Sequence, residues 1–176
     1  MVEVDVSIIF AGLSIAASIV YYASVLRNQN KTRQTQLFMN IYNTFASKQY
    51  QKDRESMLRI WEFEGYDDFF MKYGPTMNPD DHAIFDMIVT YFEGIAVLVK
   101  RELIDPNLVY DLMYGSIIGF WEKFEPVILG LREMTESPKT LQDLEFLYLE
   151  IMRLAAEDGA PRPGSYTTPF TQKPEE

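Results

Sequence analysis

The sequence predicts an all-α protein in which a single N-terminal transmembrane helix is followed by a small helical bundle. The first observation is an apolar run of 21 residues, 6–26, without a charged side chain. At about 1.5 Å per residue, a helix of this length spans roughly 30 Å, the thickness of the hydrocarbon core of a bilayer. The second observation is that apolar residues further along recur at helical spacing, and the third is that no strand-like alternation persists.

The segment 6–26 has two alternative interpretations, a cleaved signal peptide and a buried core helix. Signal peptides begin with basic residues and have a shorter apolar core, of about 7–15 residues. Here Glu3 and Asp5 precede the run instead. Aromatic side chains near its far end are typical of a membrane interface, and core helices seldom lack charge over such a length. We therefore expect a retained anchor, and its marker residues are Val6, Tyr21, Tyr22 and Leu26.

The charges after the anchor are unevenly distributed. Residues 27–61 include seven basic and two acidic side chains, a balance of +5, whereas the residues from 62 onward carry −13. Because basic residues stay on the cytoplasmic side, the N-terminus is expected outside and the domain in the cytoplasm. Such charges next to a membrane also favour an anionic lipid surface. We call three of these residues the basic collar: Arg27, Lys31 and Arg33.

Small side chains share one face of the anchor, among them Ala11, Ser14 and Ser18, with Gly12 nearby. Small residues at this spacing allow transmembrane helices to approach closely. Two alternatives remain open: ordinary anchor composition, or association with a second copy or with a larger membrane protein.

We predict four segments along the chain: an extracytoplasmic tail (1–5), the transmembrane helix (6–26), a cytoplasmic helical domain (27–158) and a flexible proline-rich tail (159–176). Asn78 and Asp105 each precede a proline and are expected to cap helices. The helix before Gly65 is expected to end at that glycine. Pro126 is expected to kink or break its helix, and the Ser137-Pro138 pair to start the last one.

Nucleic acid is an unfavourable partner for a chain with a net charge of −10. The sequence has no cysteine and one histidine, His82, which we expect on the surface. It has no glycine-rich phosphate loop and no nucleophile elbow. Glu122 and Glu125 lie one helical turn apart, but a metal site would need further ligands. We therefore expect no catalytic activity, cofactor or metal.

Glu93 interrupts a strongly apolar stretch and has two interpretations. It belongs either to a solvated stripe with Asp86 and Lys100, or to a partly buried ion pair with Arg132. Removing one member of a buried pair costs about 3–5 kcal/mol, so only the second interpretation predicts strong destabilisation by Glu93→Ala.

The stretches YFEGIAVLVKRELIDPNLVYDL and FWEKFEPVILGLRE follow the anchor. With them the chain resembles a prokaryotic family of membrane-anchored, mainly helical proteins of unknown function. The matching positions are Phe92, Glu93, Ile104, Asp105, Trp121, Pro126 and Arg132. The resemblance implies an anchored helical domain and supplies no catalytic residues.

The expected function is that of a membrane-tethered helical interaction module, an accessory or regulatory protein that contacts the bilayer and a protein partner. The alternative is a structural subunit of a larger membrane complex, which would use the small-residue face of the anchor.

Overall fold

The computed structural model describes residues 6–160, with side chains from residue 8 onward. This part of the chain contains six α-helices and no strand, which confirms the predicted all-α class. The helices are α1 (Val6–Phe45), α2 (Lys48–Arg59), α3 (Gly65–Tyr73), α4 (Pro79–Lys100), α5 (Pro106–Met134) and α6 (Gln142–Glu157). The predicted tail 1–5, the side chain of Val6 and most of the predicted tail 159–176 lie outside the described residues.

The chain divides into two compact units, the first ending at Ile41 and the second beginning at Tyr42. This division does not test the predicted end of the transmembrane helix at Leu26, because that boundary depends on the membrane. The end at Leu26 remains a prediction.

Helix α1 is continuous through its polar part, where the sequence allowed a soft joint near residues 28–31. No glycine or proline interrupts this part, and its threonine hydroxyls bond back along the helix. Thr32 donates to the carbonyl oxygen of Asn28 at 2.9 Å, and Thr35 donates to that of Lys31 at 3.0 Å. The polar side chains therefore leave the helical backbone intact.

The capping predictions for two helix starts are confirmed. The side chain of Asn78 accepts a hydrogen bond from the backbone N–H of Asp81 at 3.3 Å, and Pro79 occupies the first turn of α4. Asp105 accepts from the backbone N–H of Asn107 at 2.9 Å, and a proline again follows. Each cap satisfies a donor that lacks a partner within its helix.

Two other boundary predictions were wrong. Gly65 begins α3 with a φ of 85° instead of ending the preceding helix, which stops at Arg59. The last helix begins at Gln142 rather than at the Ser137-Pro138 pair, after Leu141 in the left-handed conformation.

Pro126 was expected to kink or break its helix, and α5 continues through it without a break. Pro126 lies on an exposed face, where water can satisfy the carbonyl group that loses its donor.

The core of the second unit lies where α4 and α5 pack with α3 and α6. Four phenylalanines, each at most 4% exposed, lie at its centre. Their ring centroids are 4.8 Å apart for Phe120 and Phe124, 4.9 Å for Phe69 and Phe85, and 5.4 Å for Phe85 and Phe124. The broad apolar face of α4 is therefore central in the bundle, as its width predicts.

Candidate functional site

The first part of α1 exposes an unusually large apolar surface. Ten large apolar side chains between residues 8 and 26 are each at least 50% exposed. They are Ile8, Ile9, Phe10, Leu13, Ile15, Ile19, Val20, Tyr21, Tyr22 and Leu26. A contiguous apolar surface of this kind marks a site of contact with membrane or protein. We call residues 8–26 the apolar segment.

The polar atoms of the apolar segment are satisfied within the helix. The hydroxyl of Ser14 donates to the carbonyl oxygen of Phe10 at 2.8 Å, and that of Ser18 donates to Ser14 at 2.8 Å. Ser24 donates to Val20 at 2.9 Å. A lipid environment offers no water to satisfy such groups, so this internal bonding suits a helix that lies in hydrocarbon.

Aromatic and basic side chains follow at the end of the apolar segment. The rings of Tyr21 and Tyr22 are arranged edge to face, with their centroids 5.7 Å apart. One turn later the basic collar begins, and all three of its side chains are exposed. Among the described residues, none of the three cations belongs to a salt bridge.

Within residues 6–160, two helices are long and apolar enough to cross a membrane, namely α1 and α4. In the most apolar stretch of 18 residues, α1 has 0% of its residues buried, whereas α4 has 39% buried. Helix α4 supplies Ile88, Phe92 and Ile95 to the core, each at most 2% exposed. The length of α4 is therefore explained by its place in the bundle, while an N-terminal helix such as α1 fits a membrane span or a signal sequence.

Residues 2–151 match a family described as a domain of unknown function, DUF4760. The chain belongs to this family. The resemblance to an uncharacterised family is thereby confirmed, and the matched region includes α1 and the bundle as far as Ile151 in α6. No curated protein and no solved structure matches the chain. The description of DUF4760 assigns no activity to its members.

In this DUF4760 chain, Arg132 does not pair with Glu93. Its Nη2 atom donates to Glu145 at 2.8 Å and its Nε atom donates to the carbonyl oxygen of Thr140 at 2.9 Å. The side chain is only 15% exposed. Arg132 lies in the last turn of α5, and it is α6 that supplies the carboxylate within reach. The guanidinium therefore ties the end of α5 to α6 and to the turn before it.

Glu93 is half-buried on α4 and has no salt bridge among the described residues. Burial raises the pKa of its carboxyl, and the nearby charge of Asp143 raises it further. Asp143 itself binds Lys100, with 2.8 Å between the ammonium nitrogen and the carboxylate oxygen. The surroundings of Glu93 therefore destabilise its charged form, whereas a cation in a structural ion pair would stabilise it.

Sequence reasoning missed a partly buried polar cluster around Arg54. The guanidinium donates to the hydroxyl of Ser116 on α5 and, at 2.7 Å, to Glu55. It also lies over the ring of Phe45, 5.5 Å from the centroid. One turn earlier, Tyr50 is 3% exposed, and burial raises the pKa of its phenol. The available signal was the i, i+4 spacing of Tyr50 and Arg54, which places both on the buried face of α2.

His82 is half-buried rather than at the surface, because the end of α3 offers it a partner. Its Nδ1 atom lies 3.1 Å from the carbonyl oxygen of Tyr73, and its Nε2 atom lies 3.5 Å from Asp86. Glu122 and Glu125 are exposed. Within the described part of the chain, no three His, Asp or Glu side chains converge as metal ligands would.

Proposed function

We propose that this DUF4760 chain is a single-pass, membrane-tethered helical interaction module with an accessory or regulatory role and no catalytic activity. The N-terminus is outside and the bundle is in the cytoplasm, in agreement with the basic collar. The observation that carries the proposal is the exposed apolar segment of α1. Fully burying one large apolar side chain is worth about 1.5 kcal/mol or more, and ten of them are exposed.

The first experiment tests membrane integration and topology. The chain has no native cysteine, so single cysteines at Val2 and Ser165 can be labelled in intact cells with an impermeant reagent. We expect the chain to resist alkaline extraction, to keep its full mass and to be labelled at residue 2 alone. A shortened chain would identify a signal peptide, and labelling at residue 165 alone would reverse the proposed orientation.

A matched pair of variants tests whether α1 is the segment that inserts into the membrane. Leu13→Arg with Ile19→Arg places two charges in the segment, each costing about 2.5–3.5 kcal/mol near the bilayer centre. We expect this variant to become extractable. The control is Leu149→Arg on α6, a side chain that is also exposed, at 57%. If the control is released equally, the anchor is not α1.

The interaction role rests on the second unit, which exposes apolar side chains in addition to its acidic surface. Ile60 is 71% exposed and Met134 is 70% exposed, so both side chains are accessible to a protein partner. A partner that purifies with the full chain after mild detergent extraction is expected to be lost when both residues are changed to lysine. Purification of the chain alone from its native membrane would contradict the role.

The second candidate function is that of a structural subunit held by the small-residue face of α1. A β-carbon added at Gly12 would meet nothing within 4 Å, so Gly12→Leu tests assembly without disturbing the chain itself. The second function would be favoured if the partner no longer co-purified with Gly12→Leu but still co-purified with the variant in which Ile60 and Met134 are both lysine.

A further inference from the structure

A shallow, open groove runs along α1 from the end of the apolar segment, which it overlaps at Val25. It has a volume of about 490 Å³ and is lined by Val25, Asn28, Gln29, Thr32 and Arg33. These positions are three, four, seven and eight residues after the first, so they share one face of the helix. We call this face the polar groove. It lies wholly within the first unit.

The side chains of the polar groove match the chemistry of a phosphate ester. The amides of Asn28 and Gln29 and the guanidinium of Arg33 are hydrogen-bond donors, and guanidinium binds phosphate oxygens in a bidentate manner. All three side chains are exposed, and Arg33 belongs to no salt bridge among the described residues. Val25 supplies the apolar end of the groove, on the side of the hydrocarbon.

The surrounding charge favours an anion. No Asp or Glu occurs between residues 6 and 52, so no carboxylate of this stretch competes for Arg33. The groove extends over about 12 Å of helix, counted at 1.5 Å per residue, and begins where the apolar segment ends. In the proposed topology the groove starts at the cytoplasmic edge of the hydrocarbon. The backbone of Arg33 lies about 10 Å beyond Leu26 along the helix, and its long side chain reaches back to the headgroups while its charge stays in the polar layer.

We propose that the polar groove binds the phosphate of an anionic lipid headgroup, with Arg33 as the principal cation and the amides of Asn28 and Gln29 as additional donors. This inference rests on the proposed membrane anchoring. It goes further because it names a lipid class and one helix face, whereas a basic collar alone would attract any anionic surface without a defined site.

The test compares two arginines on different sides of α1. At 3.6 residues per turn, Arg27 lies nearly opposite the polar groove, while Arg33 lines it. Arg33→Gln and Arg27→Gln remove the same charge, and Arg27 lies about 9 Å nearer the hydrocarbon along the helix axis, where diffuse attraction to the headgroups would favour it over Arg33. The full chain is reconstituted in phosphatidylcholine vesicles, and spin-labelled phosphatidylglycerol and phosphatidylcholine report how strongly the chain selects the anionic lipid.

We expect Arg33→Gln to reduce this selectivity by about fivefold, the effect of one basic residue near an anionic surface, and Arg27→Gln to reduce it clearly less. The remaining selectivity of Arg33→Gln should respond more strongly to added salt, which screens diffuse attraction. Equal losses in the two variants, or no loss in Arg33→Gln, would overturn the proposed site. Alkaline extraction of each sample is measured in parallel, so a failure of anchoring is recognised separately.

A second measurement identifies the occupant in native membranes. Gln29→Cys carries a photoreactive thiol label within the polar groove, and Asn30→Cys carries it at nearly the same depth but away from the groove, without removing a charge. A lipid adduct enriched in anionic phospholipid at residue 29, relative to residue 30, supports the proposal. An adduct with a protein at residue 29 would overturn it.

Discussion

The ammonium group of Lys123 on α5 donates a hydrogen bond of 2.8 Å to the carbonyl oxygen of Leu58, near the end of α2. A second bond of 2.6 Å reaches the carbonyl oxygen of Trp61. Carbonyl groups at a helix end lack partners within the helix and carry the negative end of its dipole. Lys123 therefore caps the C-terminal end of α2, although it is more than 60 residues away in the sequence.

Replacing Lys123 by methionine keeps the apolar stem and removes both hydrogen bonds. Burial lowers the pKa of this ammonium, so the charge has a desolvation cost. Two charge-assisted bonds to otherwise unpaired carbonyl groups outweigh it, and we expect a loss of about 1–3 kcal/mol. Urea unfolding of the full chain in micelles, followed by tryptophan fluorescence, measures this because Trp61 and Trp121 both lie in the second unit.

The control for Lys123 is Lys52→Met, on the exposed face of α2, which is expected to leave the unfolding midpoint nearly unchanged. A higher midpoint in Lys123→Met than in the unmodified chain would mean that desolvation dominates and that Lys123 is no stabilising cap.

The choice of partner by Arg132 is tested by two double-mutant cycles. Arg132→Met combined with Glu145→Gln should show a coupling energy, because the two side chains share a hydrogen bond of 2.8 Å. Arg132→Met combined with Glu93→Gln should be additive within about 0.3–0.5 kcal/mol, as expected for residues without a shared contact. Coupling to Glu93 that exceeded coupling to Glu145 would contradict the observed geometry.

The elements predicted correctly from sequence are those with local signals. Asn78 and Asp105 reveal helix starts because cap and proline are adjacent in the chain, and the apolar run 6–26 marks a helix by composition alone. The partner of Arg132 depends on which carboxylate α6 brings to the end of α5. The spacing of residues within one helix does not show which carboxylate a neighbouring helix brings close. Glu93 therefore remained a candidate partner of Arg132 on the basis of sequence alone.

The same distinction applies to the candidate site. The basic collar was predictable from charge counts, whereas the polar groove required the register of residues 25–33 on one continuous helix. The assignment of Gly65 failed because a glycine with positive φ serves the start of one helix as well as the end of another.

The raised pKa of Glu93 predicts a pH-dependent effect on stability. The carboxyl has a reference pKa of 4.5, and the folded protein raises it by burial and by the charge of Asp143. Below the reference value both states bind the proton, and Glu93 has no electrostatic cost. As the pH rises from 4.5 through the folded pKa, the unfolded state loses its proton first, so folded stability decreases and remains lower above that window.

Glu93→Gln should therefore raise the urea midpoint of the full chain at about pH 7 and have little electrostatic effect at about pH 4. Glu122→Gln on the exposed face of α5 serves as a control for losing one negative charge. A lower midpoint of Glu93→Gln at neutral pH would mean that the carboxylate is stabilised by a partner.

Two glycines on neighbouring helices should respond in opposite directions to alanine. A β-carbon at Gly130 on α5 would overlap the side chain of Tyr66 on α3, whereas one at Gly94 on α4 would meet nothing within 4 Å. Gly130→Ala is expected to lose about 1–3 kcal/mol by overpacking. Gly94→Ala is expected to gain up to about 1 kcal/mol, because alanine is the better helix former.

Urea midpoints of the two alanine variants decide whether α3 packs directly on the backbone of α5. The atom nearest to the added β-carbon is the β-carbon of Tyr66, which alanine would keep. Tyr66→Gly removes it, so Gly130→Ala should be less harmful in the presence of Tyr66→Gly than alone. If Gly130→Ala stabilised the chain as Gly94→Ala does, the helix propensity of alanine would be the only effect at both sites, and the close contact between α3 and α5 would be refuted.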